Sequence, residues 1–142
     1  MKSKLYLLLL VPVLTLASCK KWTIADDSNR IVGNWQISYV ERQGNYGSEP
    51  VYTGYEGGEF YFSNNGSARF SVSYGEMNGS WRMIPRSDGY NGGSNSLELR
   101  LYDYYNDDAI EWEFYAVEFT GNRMIGYMNR YGYEYRYEFR RY

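Results

Sequence analysis

The sequence predicts an all-β domain, a single antiparallel up-and-down β-barrel of about eight strands. Three observations carry the expectation. Over residues 31–142 apolar and polar residues alternate in short runs, no stretch keeps a 3.6-residue apolar stripe long enough for a helix, and turn residues punctuate the runs. A sheet with one apolar and one charged face must hide the apolar one, and closing into a barrel does so while removing exposed edges.

Taken in order, NWQISY sets Trp35, Ile37 and Tyr39 on one face, EFYFS sets Phe60 and Phe62, and SARFSVSY sets Ala68, Phe70, Val72 and Tyr74. SWRMI contributes Trp81 and Met83, SLELRLY contributes Leu97, Leu99 and Leu101, and AIEWEFY contributes Ile110, Trp112 and Phe114. RMIGYMN is ambiguous, because Met124 and Met128 compete with Ile125 and Tyr127 for the inner face. The last run, YGYEYRYEFRRY, sets Tyr133, Tyr135, Tyr137 and Phe139 against Glu134, Arg136, Glu138 and Arg140. Water is the cheaper place for those charges, which turns the rings inward. Asn65-Gly66, Gly75-Glu76, Gly121-Asn122 and Tyr131-Gly132 suit tight turns, and RSDGYNGGSN reads as a longer loop.

The start of the chain is of another kind. Lys2 and Lys4 precede an apolar run from Leu5 to Leu16 and small residues before Cys19, the layout of an export signal. Twelve residues at about 1.5 Å rise make roughly 18 Å of helix, too short for a hydrocarbon layer of about 30 Å. The four residues LASC, Leu16 to Cys19, resemble the lipobox of bacterial lipoproteins. That resemblance implies removal of residues 1–18 and acylation of Cys19 by fatty-acyl chains such as palmitate. It also implies a lipid-anchored protein of the bacterial cell envelope, with the outer membrane the expected location. Cys19 is the only cysteine, so it has no disulfide partner in the chain. Several acyl chains together make a firm anchor where one is marginal. Residues 19–30 then read as the lipidated cysteine and a short tether, reaching at most about 40 Å to Ile31, and residues 31–142 as the barrel domain.

A second resemblance covers most of residues 31–142. IVGNWQI is similar to the Gly-x-Trp opening strand of lipocalin-like domains, with Gly33 and Trp35 in the two fixed positions, and FYFSNNGSARF and NGSWRM resemble later strands of lipocalin-like families found in bacterial lipoproteins. The resemblance implies that Trp35 closes one end of the barrel and that a last-strand arginine packs across it. Either Arg140 or Arg141 can take that part, completing a barrel floor with Gly33 and Trp35, and the resemblance does not choose between them. The chain is shorter than a typical secreted lipocalin and shows no helical pattern near its end.

Composition narrows the function classes. Without the signal, thirteen basic side chains face seventeen acidic ones, a net charge of about −4 with the signs interspersed, which does not suit nucleic acid. With no histidine and a single cysteine, the usual zinc, copper and iron ligand sets and a histidine-based triad are not expected, nor is any cofactor. Glu111 and Glu113 lie about 6 to 7 Å apart along a strand, within the range of paired glycosidase carboxylates, but opposite Ile110, Trp112 and Phe114, so they should face solvent. DYYNDD lacks the glycine and distal glutamate of a calcium loop and reads as a hairpin. No catalytic residue is assigned, and a non-enzymatic monomer is expected.

Two readings stay open. In the first, the barrel binds one small neutral or apolar ligand in a shallow aromatic pocket, with Phe60, Phe62, Phe70, Trp81, Trp112, Phe114, Tyr133, Tyr135 and Tyr137 as candidate contacts. Arg69, Arg82, Arg100 and Arg136 fall on the polar side, which disfavours an organic anion. In the second, the barrel is solid and its surface, including Tyr90, Tyr102, Tyr104 and Tyr105, recognises an envelope protein or glycan.

Overall fold

The structure, a computed structural model, describes residues 24–85 and 94–142. The export signal, Cys19 and Tyr90 lie outside the described residues.

Nine strands form one sheet: β1 (Gly33–Gly44), β2 (Gly47–Pro50), β3 (Glu59–Phe62), β4 (Ser67–Val72), β5 (Gly75–Ile84), β6 (Asn95–Asp103), β7 (Asp108–Thr120), β8 (Arg123–Arg130) and β9 (Tyr133–Arg141). Their order is β2-β1-β3-β4-β5-β6-β7-β8-β9, every described pairing is antiparallel, and β1 also pairs with β9 along Trp35↔Arg141 to Gln43↔Glu134. That pairing closes an eight-stranded, lipocalin-like barrel and leaves β2 as an extra strand. Both β2 and β3 pair with β1, at Glu41 to Gly44 and at Gly33 to Trp35 respectively. They are two pieces of one broken partner, and residues 51–58 bow away between them. No alternation betrays β2, because all four of its residues are exposed.

Because the chain runs up and down, the barrel has two distinct ends. The floor carries the start of β1, the ends of β5 and β9, the start of β6, and the β3–β4 and β7–β8 connections. The mouth carries the β1–β2, β4–β5, β6–β7 and β8–β9 turns and the 51–58 segment.

The helix α1 (Ile24–Ile31) closes the floor, where the alternation analysis expects only a tether. Two turns are too short to leave a legible stripe, and a helix of this length is marginal without tertiary support. That support comes from Ile31, which is fully buried, and from a 2.6 Å hydrogen bond donated by Asn95 Nδ2 to Asp27 Oδ2.

Burial follows the expected alternation over most of the barrel. Phe60, Phe62, Ala68, Phe70, Trp81, Leu97, Leu99, Leu101, Ile110, Trp112, Phe114, Tyr137 and Phe139 all point inward into one core. Four positions depart from expectation, the first being Glu138, expected in water but buried under Arg123, Arg136 and Arg140, whose charges offset the burial. The β1–β9 register shifts between Ile37 and Tyr39, so that Val40 takes the inward place and Tyr39 turns out. Such a bulge adds one residue and flips the faces beyond it. Tyr74 is exposed because Val72 pairs with Gly75, which makes Ser73 and Tyr74, rather than Gly75 and Glu76, the turn. Tyr133 is 43 % exposed, lying near the mouth rather than in the interior.

In β8 the ambiguity resolves in favour of Met124, Gly126 and Met128, which face inward, with Ile125 and Tyr127 half-buried. Gly126 faces the Phe114 ring so closely that an added Cβ would meet Cδ1 at 2.6 Å. The small residue makes room for the large one. Tyr131 and Gly132, with φ of 53° and 79°, form the left-handed pair that a two-residue hairpin turn needs.

Candidate functional site

At the floor, Trp35 is fully buried and donates from Nε1 to the Ile31 carbonyl at 2.6 Å. Arg141, not Arg140, lies across the indole, its guanidinium carbon 4.6 Å from the ring centroid, and it also donates to the Arg30 carbonyl. Trp35 pairs with Arg141 across the β1–β9 ladder, so Arg141 shares its face. Arg140, one residue earlier, falls on the outer face, where it joins Arg123 and Arg136 around Glu138. Arg30 stacks on Phe119 at 5.1 Å, which ties α1 to β7. This end is a packed plug.

Above it the candidate ligand-contacting rings pack on one another. Phe60 lies 4.6 Å from Phe70, 5.5 Å from Trp112 and 5.8 Å from Phe139, centroid to centroid. Tyr137 lies 5.2 Å from Trp112 and 5.4 Å from Phe114. Two of these pairs, Phe60–Phe139 and Tyr137–Phe114, are edge-to-face, an arrangement that ring quadrupoles favour. Phe62 and Trp81 form a further T-shaped pair, and Trp81 donates to the Ser63 carbonyl. An eight-stranded interior is just wide enough to be filled this way. Burial pushes the Tyr137 hydroxyl up to about 12.

The open space lies at the mouth. A cavity of about 550 Å³ is bounded by the 51–58 segment, the β4–β5 hairpin and the β6–β7 hairpin. Its apolar lining is Tyr55, Phe70, Val72 and Met77, and its polar lining includes Thr53, Asn106 and the carboxylates of Glu76, Asp103 and Asp108. No arginine or lysine is among its lining residues. Tyr55 bridges cavity and core, standing edge-on to Phe70 at 5.5 Å and to Trp112 at 5.4 Å.

The 51–58 segment is held in place by Glu56. Its carboxylate accepts from Thr53 N at 2.6 Å, Thr53 Oγ1 at 2.9 Å and Gly54 N at 2.9 Å. Partial burial would raise its pKa, but these hydrogen bonds outweigh burial and hold it below the usual glutamate range. Beyond it, Gly58 packs where an added Cβ would lie 2.1 Å from the Phe70 ring. Asp103 plays the matching part on the β6–β7 hairpin. The side chain of Asn106 and the backbone amides of Tyr105 and Asn106 donate to it, and together they hold it below the usual aspartate range. Both acids are committed to shaping the mouth.

Of the nine candidate contacts, Phe70 alone lines this cavity. Phe60, Phe62, Trp81, Trp112, Phe114 and Tyr137 are core residues, Tyr135 is half-buried against the core, and Tyr133 lies outside under Arg42, whose guanidinium is 4.7 Å from its centroid. Sequence reasoning missed Thr53, Tyr55 and Met77. The available signal was the TGYEGG stretch, glycine-rich and without alternation. Glu111 and Glu113 are exposed on the outer face, and Tyr102 Oη donates to Glu111 at 2.7 Å. No family model, curated protein or solved structure matches the chain.

Proposed function

We propose that this chain is an exported bacterial lipoprotein, acylated at Cys19 and held at the cell envelope, whose lipocalin-like barrel binds a small neutral ligand at its mouth. The observation that carries the reading is the 550 Å³ cavity with a ring-lined floor and a polar rim. Its size falls within the range of small-molecule sites. Tyr55 and Phe70 offer apolar faces to a flat or sugar-like ligand, while Thr53 and Asn106 offer hydrogen bonds. Glu76, Asp103 and Asp108, with no cation in the lining, disfavour an anion. We read the role as binding: among the lining acids, Asp103 is taken up as an acceptor by the Asn106 side chain and the Tyr105 and Asn106 amides.

Anchoring at Cys19 agrees with the layout of the barrel. The chain enters at the floor through α1, and five residues from Cys19 to Ile24 reach at most about 18 Å. The floor would sit next to the membrane and the mouth would face away from it. A second reading, recognition by the surface of a solid barrel, draws support from the packed interior rings.

The anchor is tested by fractionation and mass spectrometry. Wild type is expected in the membrane fraction with acyl mass on Cys19, and Cys19→Ser in the soluble fraction. A soluble, unacylated wild type rejects the anchor. For the cavity, a neutral aryl glycoside such as p-nitrophenyl glucoside is titrated calorimetrically against wild type and Tyr55→Ala. Binding by wild type and its loss in Tyr55→Ala is expected. A glycoside that binds both equally rejects the mouth site.

A further inference from the structure

The mouth carries a second feature besides the cavity. Six tyrosines, Tyr46, Tyr52, Tyr74, Tyr104, Tyr105 and Tyr131, are each at least 80 % exposed, and all lie on the mouth turns or the 51–58 segment. The floor turns at 63–66 and 121–122 carry no tyrosine. Exposed tyrosine set among glycine, serine and asparagine is the composition of protein-recognition loops, since two torsions bring a large rigid contact at low entropic cost.

The barrel itself shows what a tyrosine face next to a carboxylate takes. Arg42 lies over Tyr133 at 4.7 Å and pairs with Glu49, and Arg69 lies over Tyr61 at 5.6 Å and reaches Glu76 at 3.9 Å. In each case a guanidinium sits between a ring and an acid. The β6–β7 hairpin offers the same residue types close together in the chain, Tyr104 and Tyr105 followed by Asp107 and Asp108. Yet among the described residues no arginine lies over either ring or pairs with either aspartate. Across the cavity stands Tyr74, also exposed. Every lysine of the chain falls at or before Lys21, so arginine is the only cation the barrel could supply.

We propose that this hairpin, with Tyr74 opposite, is a docking surface for an arginine- or lysine-bearing polypeptide, whose cations complete the ring–carboxylate pairs that the barrel leaves open. Charge complementarity selects the partner: the cavity edge between hairpin and Tyr74 adds Glu76 and Asp103 and no base. Tyr74 and Asp108 are shared with the cavity, whereas Tyr104, Tyr105 and Asp107 do not line it and can be changed without touching a small molecule bound there.

The test titrates an arginine–glycine repeat peptide, its glutamate–glycine counterpart and a neutral glucan oligosaccharide against the full-length protein in detergent. Wild type is expected to bind the basic peptide alone. Tyr104→Ser/Tyr105→Ser is expected to weaken binding about tenfold and Asp107→Asn about threefold. Asparagine tolerates the left-handed backbone at 107, where φ is 52°. The tyrosine variant leaves net charge untouched, so its loss of affinity separates ring stacking from general attraction to an acidic protein. Unchanged far-UV circular dichroism and unchanged glycoside affinity establish that fold and cavity survive. The proposal is overturned if the basic peptide does not bind, if it binds the tyrosine variant as tightly as wild type, or if the oligosaccharide binds in its place.

Discussion

Removing the floor contacts one at a time should separate Arg141 from Arg140. Trp35 is fully buried, so Trp35→Ala leaves a large cavity and should cost about 3 to 5 kcal/mol. Trp35→Phe keeps most of the ring but loses the indole N–H, leaving the Ile31 carbonyl without its 2.6 Å donor, at a cost of about 1 to 3 kcal/mol. Arg141→Ala removes a guanidinium 4.6 Å from the indole centroid, worth about 0.5 to 2 kcal/mol, and also the hydrogen bond to the Arg30 carbonyl. About 1 to 3 kcal/mol is expected in all. Arg140→Ala removes only a loose ion pair, 3.5 Å from Glu138, on a side chain 61 % exposed. Its expected cost is below about 0.5 kcal/mol. Urea unfolding of the soluble Cys19→Ser protein, followed by far-UV circular dichroism, gives each value from midpoint and slope. A double-mutant cycle between Trp35→Phe and Arg141→Ala should show coupling of about 0.5 kcal/mol or more, because guanidinium and indole are in contact. The reasoning fails if Arg140→Ala costs as much as Arg141→Ala, or if the cycle shows no coupling.

Tyr137 makes alkaline stability fall. Its folded pKa is about 12 against an ordinary 10.0, so its contribution is complete below pH 10 and is lost as pH rises toward 12, by at most about 1.4 kcal/mol per pH unit. Tyr137→Phe should flatten that part of the curve, and an identical slope in wild type and variant would contradict it. Glu56 acts in the opposite direction, since its folded pKa lies below the ordinary 4.5 and its contribution is lost as pH falls through that lower value. Protection of the Thr53 and Gly54 amides, measured relative to the intrinsic exchange rate at each pH, should therefore fall in acid, and in Glu56→Gln it should be low already at neutral pH. Gly126→Ala should cost about 1 to 3 kcal/mol by pressing on the Phe114 ring, and adding Phe114→Leu should recover part of that cost. A double variant as unstable as the sum of the singles would show that this contact is not the cause.

Alternation alone determined that the chain is an all-β barrel, that Phe60, Trp112 and Phe139 point in, and that Arg82 and Arg100 point out. A side chain's face follows from its place in a strand, and burying a charge costs far more than leaving it in water. What only the tertiary structure decided are the features that depend on a partner strand or on the opposite side of the barrel. The shift between Ile37 and Tyr39 is a property of the β1–β9 pair, and it turned Tyr39 out. The ladder that seats Arg141 against Trp35 leaves Arg140 outside. The helix over Ile24–Ile31 depends on contacts with Trp35 and Asn95 that no local pattern encodes. The same holds at the mouth, where Thr53, Met77 and Asn106 line one cavity although they are distant in sequence. The inward rings were legible, but whether they would enclose a ligand or fill the barrel was not. That outcome depends on the volume left by rings from six strands meeting at once, which alternation along any single strand does not contain.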